Sequence, residues 1–277
     1  MSARVVVVSV IVAVGATAGA ALAQQPVPTV TVDATAKAVS VRAPGPLPSG
    51  PTRFAFARPS GSKDLSVYVA LLVPGVTVEQ LLKTLAADDR SGGEASLGLV
   101  SIQASVSLAG SETQRAVTFN VKPGLTYAVL AEQDANGNGP TPRALTTFTS
   151  SGSANGATAK APAATIRMQG LRFKGAGELP RSGVVRVQNR DGVAHFALAF
   201  PLRRGTTTAR FGRALRGSRR ALARIVAGAP YGVQNIISGG DTSNDQELRF
   251  PKKGRYGLVC FVDEHHLLGM YRVVSVK

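Results

Sequence analysis

The chain has no tryptophan, one cysteine and three histidines in 277 residues. Aromatic residues make up 5% of it, so exposed ring platforms for stacking sugars or nucleobases are not expected. A lone cysteine cannot close an internal disulfide. Cys260 is therefore an intermolecular partner, a reactive thiol, a metal ligand or a small buried hydrophobe. No Gly-x-Ser-x-Gly elbow occurs, which removes the usual hydrolase nucleophile. The few His and Cys side chains are also too sparse for a zinc site in each domain. Acid is scarce as well, with 16 Asp and Glu against 32 Lys and Arg and a formal net charge of +16.

What is present favours β structure. Val and Thr are frequent, Gly and Pro are plentiful, and long Glu/Lys/Leu helical runs are rare. The N-terminus reads as an export signal over residues 1–23. Arg4 supplies the charge, Val5 to Ala20 the apolar run, and Ala21-Leu22-Ala23 the small-x-small cleavage pattern before Gln24. A membrane anchor is the competing reading of the same run. No later segment is long and apolar enough to span a bilayer. The mature chain is expected to be secreted, or periplasmic and associated with the cell envelope, which disfavours nucleic acid as a partner.

The sequence repeats at an offset of 130. Tyr68-Val69-Ala70-Leu71-Leu72-Val73-Pro74-Gly75-Val76-Thr77 parallels the stretch from Phe196 to Thr207, and Lys122-Pro123-Gly124 parallels Lys252-Lys253-Gly254. Two matches at one spacing predict tandem copies, residues 24–150 and 164–277, joined by a Ser/Gly/Ala/Pro-rich linker over 151–163. Short apolar-polar alternations predict strands over 29–32, 52–57, 65–72, 116–121 and 127–131 in the first copy. In the second they predict strands over 164–168, 183–187, 195–200, 246–250, 256–261 and 270–276. A helix is expected after each Pro/Gly turn, over 77–87 and 206–225, the first with Val78, Leu81, Leu82 and Leu85 as its apolar stripe. The fold class is all-β: two tandem Greek-key β-sandwich domains, each with one inserted helix.

Charge divides unevenly between the copies. Residues 159–277 carry 21 basic side chains against 7 acidic ones, and residues 24–158 carry 10 against 9. Arg203, Arg204, Arg210, Arg213, Arg216, Arg219, Arg220 and Arg224 crowd one stretch, and no acid lies between Asp191 and Asp241. Such a stretch is either a solvated basic face or a contact surface for an acidic redox partner or an anionic envelope surface.

The soft ligand residues gather late in the chain. His195, Cys260, His265, His266 and Met270 include all three histidines, the only cysteine and one of the two methionines beyond the initiator. A thiolate, imidazoles and a thioether together are what a type-1 copper site requires. Two stretches carry a family resemblance. The run from Val187 to His195 is similar to the strand–turn–strand of the cupredoxins that ends in their first copper histidine. The run from Gly254 through Cys260, then Cys-x4-His-x4-Met, resembles their ligand loop before the last strand. The likeness covers residues 160–277 and, more weakly, the first copy.

The resemblance implies His195, Cys260, His265 and Met270 as ligands, with His266 the alternative to His265. It implies mononuclear copper as cofactor and one-electron transfer as function, in a carrier or copper holder that is not an enzyme. The position after His195 holds Phe196, where the family often has a polar residue. In the first copy Leu65 falls where His195 lies, and Leu130 or Ala131 where Cys260 lies, so that copy is expected to lack the site. Its Asp134-Ala135-Asn136-Gly137-Asn138-Gly139 run matches half of a calcium loop, but Leu145 stands at the closing position, and a Gly/Asn turn is expected there. The alternative function is a metal-free envelope-associated binding protein that uses its basic C-terminal domain to contact an anionic partner or surface. A ligand-range separation of His195 and Cys260 would favour copper.

Overall fold

A computed structural model describes residues 25–35, 37–43, 47–91, 95–109, 112–133 and 143–277. The expected signal segment, residues 1–23, and the Asp134–Gly139 loop lie outside the described residues. Among the described residues no helix is long and apolar enough to cross a membrane.

The N-terminal half contributes eight strands: β1 (Thr29–Ala34), β2 (Val39–Arg42), β3 (Gly50–Ala57), β4 (Leu65–Leu72), β5 (Val100–Leu108), β6 (Gln114–Val121), β7 (Thr126–Gln133) and β8 (Arg143–Thr149). Nine follow: β9 (Ala164–Met168), β10 (Phe173–Gly175), β11 (Glu178–Leu179), β12 (Ser182–Asn189), β13 (His195–Leu202), β14 (Tyr231–Ile237), β15 (Thr242–Arg249), β16 (Gly254–Val259) and β17 (Tyr271–Val276). They form three sheets. One runs β10-β9-β12-β15-β6-β3-β1-β2, one β11-β17-β16-β13-β14 and one β5-β4-β7-β8.

Alternation builds the cores. In β4, Leu65, Val67 and Val69 point inward and are buried, and in β13 His195, Ala197 and Ala199 do the same. One cluster, including Phe54, Val67, Phe119, Tyr127 and Val129, fills the space between sheet layers in the N-terminal half. A second, including Val185, Val233, Phe250, Tyr256, Leu258, Cys260 and Met270, fills it in the C-terminal half. The fold is all-β, with sheets packed face to face as sandwiches in both halves. The expected strands are all present, some longer than their apolar runs. β2, β5, β8, β10, β11 and β14 were not anticipated. β5 is an example of why: its sequence, VSIQASVSL, has three serines and a glutamine, and they are engaged within the protein, Gln103 bonding Ser101 in the same strand and buried Ser105 bonding Gln234 across the sheet junction.

The helices differ from expectation in two ways. α1 (Val78–Ser91) starts where predicted, fixed by a reciprocal cap: Gln80 N–H donates to Thr77 Oγ1 at 3.1 Å, and Thr77 N–H to Gln80 Oε1 at 2.8 Å. Leu81 and Leu85 are buried on it, but Leu82 is exposed. The single second helix expected over 206–225 is instead two, α2 (Thr208–Leu215) and α3 (Arg219–Ala223). Gly217 interrupts the run and Ser218 caps anew, its side chain accepting from Ala221 N–H. Both lie over the outer face of the β17-β16-β13 sheet, on Leu202, Phe211, Ile225 and Val259. Two glycines permit this approach. A Cβ on Gly212 would stand 2.2 Å from the Tyr271 ring, and one on Gly257 2.5 Å from the Phe211 ring.

The halves are joined by hydrogen bonds as well as by the chain. β15 pairs with β6 through Asp245↔Thr118 and Gln246↔Val117, making one eight-stranded sheet from both halves. Behind it, Gln234 Nε2 donates to Ser105 Oγ at 3.1 Å, Ser105 Oγ to the Ile236 carbonyl at 2.5 Å, and Asn244 Nδ2 to the Gln103 carbonyl at 3.0 Å. Arg53 is ion-paired to Glu247, and Arg115 donates to the Gly232 carbonyl while lying over the Tyr231 ring. The segment after β8 is also anchored: Ser151 N–H bonds the Leu47 carbonyl and Asn155 N–H the Ser49 carbonyl.

Candidate metal centre

Three elements converge at one end of the C-terminal sandwich. β13 begins with His195. β16 runs directly into Cys260. The loop from Phe261 to Gly269 folds back so that Met270 N–H bonds the His265 carbonyl at 2.9 Å and Cys260 N–H bonds the Met270 carbonyl at 3.2 Å. The loop is wound tightly enough to put Asp263 and Glu264 at positive φ, 41° and 57°. Such backbone costs about 1–3 kcal/mol per residue and persists where surrounding bonds hold it. Here the His265 N–H to Val262 carbonyl bond, 2.8 Å, and the Leu267 N–H to Glu264 carbonyl bond, 2.7 Å, do so.

The result is a buried cluster. His195 and Cys260 are fully buried and His265 is nearly so, and the ligand atoms of all three lie within 4.8 Å of one another. His195 Nδ1 is 3.1 Å from His265 Nδ1. Cys260 Sγ is 3.9 Å from His195 Nδ1 and 3.7 Å from His265 Nδ1. Bonds of about 2.0–2.1 Å to imidazole nitrogen and about 2.3 Å to thiolate, the lengths found for zinc, set donor atoms roughly 3.1–3.8 Å apart at open angles. Two of the three separations, 3.1 and 3.7 Å, fall in that range, and the third, 3.9 Å, lies just beyond it. Two nitrogens and a sulfur also suit copper in donor type.

His195 and Cys260 are each held by a neighbour. His195 Nε2 lies 2.9 Å from Asp191 Oδ2, so that nitrogen carries the proton and Nδ1 keeps a lone pair for the cluster. The Asp191 carboxylate accepts from Gly170 N–H at 2.7 Å and Leu171 N–H at 3.1 Å. Burial opposes its charge, but these bonds and His195 outweigh burial and hold it below the ordinary carboxylate range. Burial lowers His195, with the Asp191 hydrogen bond opposing, so the ring is neutral at neutral pH. Asn189, also buried, braces the turn: its Nδ2 donates to the Val193 carbonyl, and its Oδ1 accepts Asp191 N–H. Phe196, where a polar side chain was looked for, contributes through its backbone. Its N–H donates to Cys260 Sγ at 3.4 Å. Burial raises the Cys260 thiol, with the Phe196 bond pulling the other way.

Of the five residues singled out in the sequence, the structure brings His195, Cys260 and His265 together. His266 is turned away, its ring edge-on to Phe261 at 4.8 Å, with a buried Nδ1 that has no partner. Met270 is fully buried in the core cluster that contains Cys260. Sequence reading gave Asp191 and Asn189 no role, although both sit in the stretch that ends at His195. A carboxylate four residues before a candidate ligand histidine was the available signal.

No family model matches the chain, and no curated protein matches it. Solved structures that align with it include auracyanin B, 22% identical over 43% of this chain and 93% of that one, TM-score 0.27. Auracyanin A, a "blue" copper protein from Chloroflexus aurantiacus, is 21% identical over 41% of this chain and 96% of that one, TM-score 0.26. A copper nitrite reductase from Nitrosomonas europaea is 12% identical over 90% of this chain and 93% of that one, TM-score 0.25. These matches correct one expectation. Enzymes by name stand among them, this reductase and multicopper oxidases, so the reading of the chain as not an enzyme is withdrawn.

Proposed function

We propose that the chain is an exported protein of two tandem cupredoxin-like domains whose second domain would hold one copper ion through His195, Cys260 and His265, with Met270 as a further donor. The observation that carries this is the buried Nδ1–Nδ1–Sγ triangle. Copper in such a set cycles between Cu(I) and Cu(II) and supplies one-electron transfer. The protein's part is to hold the donors still and dry. Asp191 keeps the His195 proton on Nε2, the Phe196 N–H supports negative charge on Cys260 Sγ, and the core around Met270 excludes water.

The tandem reading is supported by register. β4 pairs with β7 at Tyr68↔Leu130, and β13 with β16 at Leu198↔Val259, two positions related by offsets of 130 and 129. That alignment sets Leu65 against His195 and Ala131 against Cys260, leaving the first domain without donors. The eight arginines from Arg203 to Arg224 favour an anionic partner: all are exposed, and among the described residues none is in an ion pair. An acidic redox partner or an anionic envelope surface would meet that face, with salt-sensitive binding.

The test is Cu(II) titration of the reduced mature chain, followed by visible absorption and electron paramagnetic resonance. An intense blue thiolate-to-copper band that disappears in Cys260→Ser and in His195→Ala is expected. Absence of the band in the native chain, with Cys260 unmodified, overturns the copper reading.

A further inference from the structure

A largely apolar hollow lined mainly by the N-terminal half shares no residue with the metal centre. It measures about 280 Å³ and lies between α1 and the outer face of the β5-β4-β7-β8 sheet. The matching place in the C-terminal half is filled. There Phe200, Phe211 and Phe261 stand together beneath α2, with Phe200 6.4 Å from each of the other two rings. Counting back by the strand registers, Phe200 corresponds to Ala70, Phe211 to Leu81 and Phe261 to Glu132. All three of those residues line the cavity. The hollow is thus the space that three aromatic rings occupy in the other half.

Its chemistry is two-sided. Ala70, Leu81 and Ala128 are buried and give apolar walls. Tyr68, Glu132 and Arg143 supply polar groups, with Arg143 Nε donating to Glu132 Oε1 at 2.5 Å. Because that pair neutralises itself, and the Asp88 carboxylate at the rim is taken up by the Ala95 and Ser96 N–H groups, a charged guest would lose its hydration without an unengaged counter-charge. A neutral guest with one hydrogen-bonding group would not. A cavity of this size and lining is in the range that holds small organic ligands.

We propose that this cavity is a binding site for a neutral single-ring aromatic molecule carrying one hydrogen-bonding substituent, its ring replacing the missing phenylalanines and its polar group turned to Tyr68 and Glu132. The site is independent of copper. The experiment uses phenol as probe on the full mature chain, read by saturation-transfer NMR. The native chain and Cys260→Ser should both show transfer. Ala70→Phe, which restores the ring of the other half, should weaken binding by about tenfold or more. No transfer in the native chain overturns the proposal, as does equal transfer in Ala70→Phe. Should Ala70→Phe not fold, Leu81→Phe is read by the same two outcomes.

Discussion

The two adjacent histidines of the ligand loop differ in everything but their place in the chain. His265 presents Nδ1 to His195 and Cys260, while His266 lies against Phe261. His265→Ala is therefore expected to abolish the blue band, and His266→Ala to keep it; loss in both would mean the loop rearranges around the metal. The sequence could not choose between them, because Cys-x4-His and Cys-x5-His both suit such a loop. The choice comes from the left-handed backbone at Asp263 and Glu264; Asp enters that region more readily than most residues, but Glu does not, so the pair was not foretold. A second residue-scale effect concerns Tyr68. Its phenol is pushed up to about 12, chiefly by burial and next by the Glu132 carboxylate. The native state thus holds its proton where the unfolded chain, near pH 10, releases it. That contribution to stability is complete below about pH 10 and lost as pH rises toward 12. Burial also raises Tyr127, Tyr231 and Tyr256, so tyrosinate absorbance should titrate late for several of the five tyrosines, with the last step missing in Tyr68→Phe.

At the scale of elements, the contact of α2 with its sheet depends on the absence of side chains. Gly257 faces the Phe211 ring directly, with no room for a methyl group. Gly257→Ala is expected to destabilise the fold by about 1–3 kcal/mol, through displacement of Phe211 or of the helix. Thermal melting measures this directly, and an unchanged melting temperature would show the helix to be free to move. Strands with clean alternation, such as β4 and β13, were legible from sequence to the residue or nearly so. Strands such as β5 and β14 were not, because their polar side chains are buried against one another at the junction, and alternation there does not separate core from solvent. The break between α2 and α3 was legible in principle. Gly217 followed by Ser218 is a stop and a new cap, which the surrounding arginine-rich run obscured.

For the whole molecule, the shared sheet matters most. β6 and β15 bond across the halves, and the Gln234–Gln246–Ser105 network lies buried behind them. Separating the halves would exchange the bonds of Ser105 to Gln234 and Ile236, and of Asn244 to Gln103, for bonds to water, at about 0.5–1.5 kcal/mol each. The mature chain should therefore melt in one transition, with calorimetric and van't Hoff enthalpies equal. Two resolved transitions would show the junction to be weaker than its hydrogen bonds indicate. The repeat at 130 residues led to the expectation of two units, but a common sheet is set by side chains on two strands with no counterpart pattern in the sequence.

The hollow beneath α1 also bears on mechanical response. Void space inside a folded chain is volume surrendered on unfolding, so hydrostatic pressure acts against the state that contains it. The aromatic packing under α2 offers pressure no such gain at the matching position. The N-terminal half is thus the compressible part of a jointly folded body, and it sets the pressure at which the whole gives way. Filling the space with Ala70→Phe should raise that midpoint pressure, measured by tyrosine fluorescence in a high-pressure cell.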